Sequence, residues 1–221
     1  GRPVDWPAVA HPVTEHRRTE SPARRVVVLT GPSGAGKSRL AARLSRRHGW
    51  PIVRLDDFYR DGDDANLPML PIGIPDWDDA RSWDHDAALH ALLTLCSDGA
   101  ARVPVYDISR SRAVGVTKVH AATEQVIIAE GIFAGQVVRD LRAKGVLAAA
   151  YCVRNNRWLT FWRRLVRDLR EHRKPPHVLW RRGLALCRNE PCLVAQHEQL
   201  GAQPMRARAV ERATSHLAAL A

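Results

Sequence analysis

The chain has 221 residues, of which 45% are hydrophobic, and it carries a formal net charge of +11 with a pI near 10.5. This length and hydrophobic content suit one globular domain with a buried core. No apolar run approaches the roughly 20 residues that span a bilayer, and residues 1–25 hold no hydrophobic signal core. We therefore expect a cytoplasmic protein with no membrane partner, whose first 25 residues form an N-terminal arm.

The positive charge suits two classes of partner. It fits a surface that binds nucleic acid, and it fits equally a pocket for a polyanion such as ATP. The arginines are spread along the chain rather than gathered in one tail, and no RNA-binding module of aromatic and basic residues is visible. Nucleic acid is therefore the less favoured partner.

Strands and helices alternate along the chain. The β-branched run Val26–Thr30 predicts a buried strand, and a glycine-rich turn and a helix over Ser38–His48 follow it directly. Further strands are predicted at 52–55, 126–129 and 147–153, and further helices at 86–96 and 133–144. This alternation predicts an α/β fold in which helices cover both faces of a central parallel sheet.

Two segments lie outside this alternation. Residues 102–106 and 114–120 can pair as a short antiparallel ribbon, which predicts a small β-ribbon lobe over 100–122. A long basic helix is predicted from Asn155 to Lys174, where Pro175 and Pro176 end it. We expect both segments to belong to one domain that spans residues 26–221.

The glycine-rich turn GPSGAGKS fits the pattern GxxxxGK[ST] at every fixed position and lies between a predicted strand and a predicted helix. In such a loop backbone N–H groups point at phosphate oxygens, the lysine reaches the β- and γ-phosphates, and the final hydroxyl binds Mg²⁺. The motif predicts the three-layer sandwich of P-loop NTPases, with ATP and Mg²⁺ as cofactors. The predicted nucleotide-binding residues are Gly31, Ser33, Gly34, Ala35, Gly36, Lys37 and Ser38.

Neighbouring residues separate the classes of P-loop protein. A GTPase requires a guanine-reading NKxD motif, which this chain lacks. Motors and helicases usually end their second key strand in Asp or Asp-Glu, whereas here the strand at 126–129 is followed by Glu130 and Gly131. A small-molecule kinase is the favoured class, and a non-kinase P-loop protein coupled to nucleic acid is the alternative from a different class.

Five short segments together resemble the uridine kinase and phosphoribulokinase family. They occur in the family's order and cover most of the chain between residues 26 and 174. The segments are DDFYR at 56–60 (DSFY in the family), DWD at 76–78 with SWD at 82–84 (FDHPDAFD), PVYD at 104–107 followed by Arg112 (PVYD…R), IAEGI at 128–132 (FEGIL) and RRLVRD at 163–168 (RRVLRD).

The resemblance implies a role for two carboxylates and two arginines. Asp56 would accept the proton of the attacking hydroxyl, and Glu130 would hold Mg²⁺ together with Ser38 and Asp56. Arg164 and Arg167 lie one helical turn apart and are similar to the family's lid arginines, which neutralise the moving phosphoryl group. The resemblance thus implies that residues 155–176 form a helical lid, and that Lys37, Asp56, Arg164 and Arg167 are the catalytic residues.

The same resemblance implies an acceptor site for a nucleoside-like small molecule, phosphorylated at its 5′-hydroxyl. Asp78 is similar to the carboxylate that accepts both ribose hydroxyls, and three aromatic residues are similar to the walls around the base. The predicted acceptor-binding residues are Tyr59, Trp77, Asp78, Tyr106, Arg110, Arg173 and Lys174.

Two of these residues depart from the family pattern. Arg110 stands where the family has a base-reading histidine, and Lys174 stands where it has a pocket arginine. Lysine cannot reproduce the bidentate contact of an arginine. The acceptor is therefore expected to differ from plain uridine, and pantothenate or a sugar phosphate remain alternative acceptors. As a separate point, the chain could assemble into a homo-oligomer.

Overall fold

The computed structural model describes residues 24–154 and 191–218 of the chain. The strands in this part of the chain are β1 (Arg25–Thr30), β2 (Ile52–Arg54), β3 (Ala100–Asp107), β4 (Arg112–His120), β5 (Val126–Glu130), β6 (Leu147–Arg154) and β7 (Gln203–Arg206). Five of them form a parallel sheet in the order β2-β5-β1-β6-β7, and the other two form an antiparallel ribbon, β3-β4.

Helices connect these strands in the pattern that a parallel sheet requires. They are α1 (Lys37–His48), α2 (His85–Asp98), α3 (Val138–Ala143) and α4 (Ala207–Ala218), and residues 191–199 are also helical. Gly49 and Gly99 end α1 and α2 in the left-handed conformation, with φ of 72° and 73°. Short 3₁₀ turns occupy Leu55–Phe58, Ala80–Ser82 and Ala134–Val137.

The core consists of two layers, one on each face of the sheet. Along β1, Val26 and Val28 pack with α2 and α3 on one face, while Val27 and Leu29 pack with α1 and α4 on the other. Every residue of β1 from 26 to 30 is fully buried. A strand buried on both faces reads as a continuous apolar run, which is how the sequence predicted it.

The predicted α/β three-layer sandwich is confirmed, with three local differences. Leu55 begins a 3₁₀ turn instead of ending β2. The helix predicted over 133–144 is split into a 3₁₀ turn and the short α3, because Gly135 lies against His197 and is a poor helix former. The four-residue edge strand β7 was missed, since Pro204 and its brevity give it no strand pattern.

The predicted ribbon is confirmed and is longer than expected. β3 pairs with β4 from Ala100 opposite His120 to Asp107 opposite Arg112. The turn of the ribbon is fixed to the loop after β2, because Gly62 N–H donates to Ser111 O at 2.6 Å and Ala113 N–H donates to the Asp61 carboxylate at 2.7 Å. The ribbon therefore stands over the carboxyl end of β2.

The predicted arm at 1–25, apart from its last two residues, and the predicted lid at 155–176 lie outside the described residues. None of the described helices combines the length and the apolar character that crossing a bilayer requires.

Candidate active site

The phosphate loop connects β1 to α1 and depends on three glycines with positive φ. Gly31, Gly34 and Gly36 have φ of 129°, 82° and 97°, a region that other residues rarely adopt. A Cβ at Gly31 would lie only 2.5 Å from the backbone oxygen of Val153 at the end of β6. Gly31 therefore meets both a conformational and a spatial requirement.

Lys37 is buried at the start of α1, and its side chain folds back over the phosphate loop. Its ammonium group donates to the carbonyl oxygens of Gly31 at 2.8 Å and Pro32 at 3.2 Å. These contacts hold the charged group at the mouth of the loop, where the N-terminus of α1 adds partial positive charge. The arrangement is a ready-made binding site for phosphate groups.

Ser38 faces a buried carboxylate at the end of β5. The Ser38 hydroxyl donates to Oε2 of Glu130 at 3.1 Å, and Glu130 is only 3% exposed. Burial raises the pKa of Glu130, the negative charge of Asp56 raises it further, and Lys37 and Ser38 oppose the shift. Two carboxylates whose charges disfavour each other create a site that a cation would stabilise.

Asp56 lies in the 3₁₀ turn that follows β2 and is fixed by the residues after Glu130. Its Oδ1 accepts a hydrogen bond from the backbone N–H of Ile132 at 2.8 Å. A Cβ at Gly131 would lie 2.7 Å from the same oxygen, so only glycine allows this approach. The sequence pair Glu130-Gly131 thus provides one carboxylate and admits the other.

These residues fit a bound Mg²⁺. Mg²⁺ prefers oxygen ligands and is usually held by one or two carboxylates together with the phosphates of the nucleotide. Ser38, Glu130 and Asp56 supply a hydroxyl and two carboxylates at the end of the phosphate loop. Within the described ranges no cluster of three or more His, Cys, Asp or Glu side chains offers an all-protein metal site.

An aromatic cluster lies beside Asp56 and is centred on Tyr59. The ring of Tyr59 is 5.9 Å, centroid to centroid, from each of the rings of Trp77, Tyr106 and Phe133. Burial raises the pKa of Tyr59 far above its ordinary value, and the charges of Asp56 and then Asp78 add to the shift. The Tyr59 hydroxyl is therefore neutral and donates to the backbone oxygen of Trp77 at 3.3 Å.

The ribbon contributes Tyr106 to this cluster. The Tyr106 hydroxyl donates to the backbone oxygen of Arg60 at 3.0 Å, and burial followed by the charge of Asp61 raises the pKa of Tyr106 to about 12. Its backbone N–H donates to the Asp57 carboxylate at 3.5 Å. Asp57 thus supports the ribbon, whereas its neighbour Asp56 faces the phosphate loop side.

The remaining predicted acceptor residues lie outside the aromatic cluster or outside the described residues. Asp78 is exposed and its charge acts on Tyr59, so it lies on the outer side of the cluster. Arg110 lies in the turn of the ribbon, is exposed, and pairs with Asp107 at 3.6 Å. Arg164, Arg167, Arg173 and Lys174 lie outside the described residues.

Two residues near the site were not predicted. Phe133 completes the aromatic cluster. The sequence predicted Phe133 only as the first residue of a helix. His197 is buried, its Nδ1 lies 3.2 Å from Oγ1 of Thr30, and burial together with the charge of Lys37 lowers its pKa to about 4. No local pattern marks His197, because 167 residues separate it from Thr30.

Comparison with known proteins gives partial matches to the sequence. A protein-family model described as an AAA domain matches residues 26–102. Inorganic pyrophosphatase TTM1 of Arabidopsis thaliana is 31% identical over 113 residues, which cover 49% of this chain and 16% of that protein. Uridine-cytidine kinase C of Dictyostelium discoideum is 27% identical over 110 residues, which cover 49% of this chain and 23% of that protein. The chain thus spans less than a quarter of either relative.

Comparison with solved structures extends over more of the chain. The structure of a candidate fructose transport system kinase from Silicibacter sp. TM1040 matches with a TM-score of 0.56 and 20% sequence identity, covering 86% of this chain and 90% of that one. At this identity the likeness concerns the fold. The predicted resemblance to uridine-kinase-like P-loop kinases is confirmed in sequence by the partial match to uridine-cytidine kinase C, and the structural match concerns the fold.

Proposed function

We propose that this chain is an ATP-dependent phosphotransferase, which moves the γ-phosphate of ATP to a hydroxyl of a nucleoside or nucleoside-like small molecule. The observation that carries this proposal is a continuous row of groups at the carboxyl edge of the sheet. Lys37 and Ser38 lie at one end, Glu130 and Asp56 follow, and the Tyr59 cluster begins where the carboxylates end. A phosphoryl donor and an aromatic-walled acceptor could therefore meet at Asp56.

The residues divide the chemical work of phosphoryl transfer. Lys37 and the loop N–H groups bind the phosphates, and a bound Mg²⁺ would neutralise charge on the β- and γ-phosphates. Asp56 accepts the proton of the acceptor hydroxyl while the hydroxyl oxygen forms a bond to the γ-phosphorus. The bond from the γ-phosphorus to the bridging oxygen breaks at the same time, and ADP leaves with that electron pair.

The Tyr59 cluster supports an acceptor that carries a planar ring. Aromatic rings stack on planar ligands, and Tyr59 is flanked by the rings of Trp77, Tyr106 and Phe133. The charge of Asp78 acts on Tyr59 from one side and that of Asp56 from another. A nucleoside-like molecule on this cluster would place its hydroxyl groups between a diol-binding carboxylate and a general base.

A second candidate is suggested by the matching segment of Inorganic pyrophosphatase TTM1. The same phosphate loop could direct water, instead of an alcohol, to a phosphoanhydride bond. The two functions differ in whether an organic acceptor is required. We favour the transferase, because the Tyr59 cluster offers such an acceptor a site beside Asp56.

The experiment is an assay of ADP release from ATP and Mg²⁺ with a panel of nucleosides, pantothenate and sugar phosphates. We expect release to depend on an acceptor, and Lys37→Ala to abolish it while circular dichroism shows an intact fold. Release of phosphate at the same rate without any acceptor would indicate the hydrolase instead. Full turnover by Lys37→Ala would contradict both functions.

A further inference from the structure

A concave surface that includes no residue of the phosphate loop lies between α1 and α4. This groove has a volume of about 490 Å³ and is lined by Arg47, Arg208, Glu211, Arg212 and Ser215. Arg208 and Arg212 are four residues apart on α4 and therefore share one face of that helix. Three arginines from two helices thus line one groove.

Within the part of the chain that the structure describes, the arginines of the groove have no carboxylate partners. Glu211 is the acidic residue in its lining, and the Glu211 carboxylate is already paired with Arg43. Within 24–154 and 191–218 no carboxylate lies at ion-pair distance from Arg47, Arg208 or Arg212. All three arginines are exposed, so they are available to an external anion.

Arg47 separates one end of the groove from the phosphate loop. Lys37 begins α1, and Arg47 lies ten residues further along the same helix. At about 1.5 Å per residue, this spacing puts roughly 15 Å between their backbones. An anion held by Lys37 therefore lies far from Arg47.

We propose that the groove between α1 and α4 binds a compact polyanion, namely the polyphosphate group of a free small molecule, as a second ligand. Guanidinium groups remain charged at any physiological pH, and their planar forks match phosphate oxygens bidentately. The volume lies within the range of roughly 300–1,000 Å³ that is typical of small-molecule sites. Ser215 also lines the groove, and its hydroxyl donates to the backbone oxygen of Glu211 at 2.8 Å.

A nucleic acid strand carries the same phosphate chemistry but a different geometry. A nucleic acid site needs a basic stripe that follows an extended backbone. The three arginines without carboxylate partners surround a single groove, which favours a ligand whose charges are close together. The experiment therefore compares inorganic tripolyphosphate with oligonucleotides of increasing length.

The test measures binding of tripolyphosphate by calorimetry to two variants of the full chain. Arg47→Gln/Arg208→Gln/Arg212→Gln neutralises the groove, and Arg25→Gln/Arg102→Gln/Lys118→Gln removes the same charge from exposed positions elsewhere. Both variants keep the same phosphate loop, so any difference between them arises at the groove. Circular dichroism and Tm establish that each variant is folded, and Arg47→Gln/Arg208→Gln replaces the triple variant if that one fails to fold.

We expect wild type and the control variant to bind two tripolyphosphate ions, and the groove variant to lose one of them or to bind it at least about tenfold more weakly. Arg47→Lys/Arg208→Lys/Arg212→Lys should retain part of the affinity, because the charge remains while the forked geometry is lost. Equal binding by the groove and control variants would overturn the proposal. Arginine-dependent binding that strengthens with oligonucleotide length and exceeds that of tripolyphosphate would also overturn it.

Discussion

His197 contacts Thr30, the last residue of β1, with its Nδ1 lying 3.2 Å from the Thr30 hydroxyl oxygen. The same hydroxyl donates to the backbone oxygen of Ile132 at 3.3 Å, and the N–H of Ile132 donates to Asp56. The buried His197 is therefore linked through Thr30 and Ile132 to the proposed general base Asp56. Its neutral ring is the form that this buried position favours.

The lowered pKa of His197 has a consequence for stability. The unfolded chain takes up a proton at this residue below about pH 6.5, whereas the folded chain does so only near pH 4. The unfolded state thus binds more protons between these values, so the free energy of unfolding falls as the pH is lowered through this window. His197→Gln should remove this part of the pH dependence.

The measurement is Tm from pH 7.5 to pH 4 for wild type, His197→Gln and His216→Gln. His216 is exposed on α4 and serves as the control. We expect wild type and His216→Gln to lose several degrees more than His197→Gln across the window. Parallel curves for all three proteins would contradict the buried neutral histidine.

Asp56 and Asp57 are adjacent but face different partners, which provides a matched pair of variants. Asp56→Asn should lower kcat by about 10²–10⁴-fold, the usual contribution of a positioned base, and leave nucleotide binding largely intact. Asp57→Asn should have a smaller effect on kcat, because Asp57 contacts Arg54 and the backbone of Tyr106. The measurement is kcat from steady-state kinetics with saturating ATP. A larger loss of kcat in Asp57→Asn than in Asp56→Asn would assign the general base to Asp57 instead.

A substitution at Gly131 tests the position of the proposed base Asp56 while leaving its carboxylate in the protein. A Cβ at this position would lie 2.7 Å from Oδ1 and 3.2 Å from the backbone nitrogen of Asp56, so Gly131→Ala should displace the carboxylate. Misplacement of a catalytic group by about 1 Å can cost on the order of 100-fold in rate. Gly115→Ala in β4 is the control, because a Cβ there meets nothing within 4 Å. Equal kcat values for the two variants would show that this approach is unimportant.

The acceptor is expected to carry a vicinal diol. Asp78 is the carboxylate implied to bind it, and a site built to bind a hydroxyl rejects the analogue lacking it by up to roughly 10⁴-fold. We therefore expect 2′-deoxy analogues to have a much lower kcat/KM than their parent nucleosides, and Asp78→Asn to narrow that difference. Equal kcat/KM values with and without the 2′-hydroxyl would contradict a diol-binding site. Efficient turnover of plain uridine would contradict the expected role of Arg110 in base selection.

The sequence predicted the parts of the fold and site that depend on local pattern. The phosphate loop was predictable because two glycines, a lysine and a serine must occupy fixed positions, and the structure has a positive φ at both of these glycines, Gly31 and Gly36. Glu130 ends β5 and Asp56 lies two residues after β2. Parallel strands end at one edge of the sheet, so the approach of these two carboxylates was predictable too.

The contributions of Phe133 and His197 were not predictable, because they depend on contacts that only the fold creates. Phe133 reaches the Tyr59 ring from the turn after β5, and its sequence context indicates no more than core packing. His197 contacts Thr30 from the helix at residues 191–199, and 167 residues separate it from Thr30 along the chain. The short strand β7 was missed for a related reason, since its four residues are specified by pairing with β6.

The most direct test of the proposed phosphotransferase is phosphorus NMR of a reaction that contains the full chain, ATP, Mg²⁺ and one acceptor from the panel. We expect the γ-phosphate signal of ATP to be replaced by a phosphomonoester signal of the acceptor in equal amount, and Lys37→Ala to prevent this change. Replacement by inorganic phosphate alone, at the same rate with and without any acceptor of the panel, would contradict it.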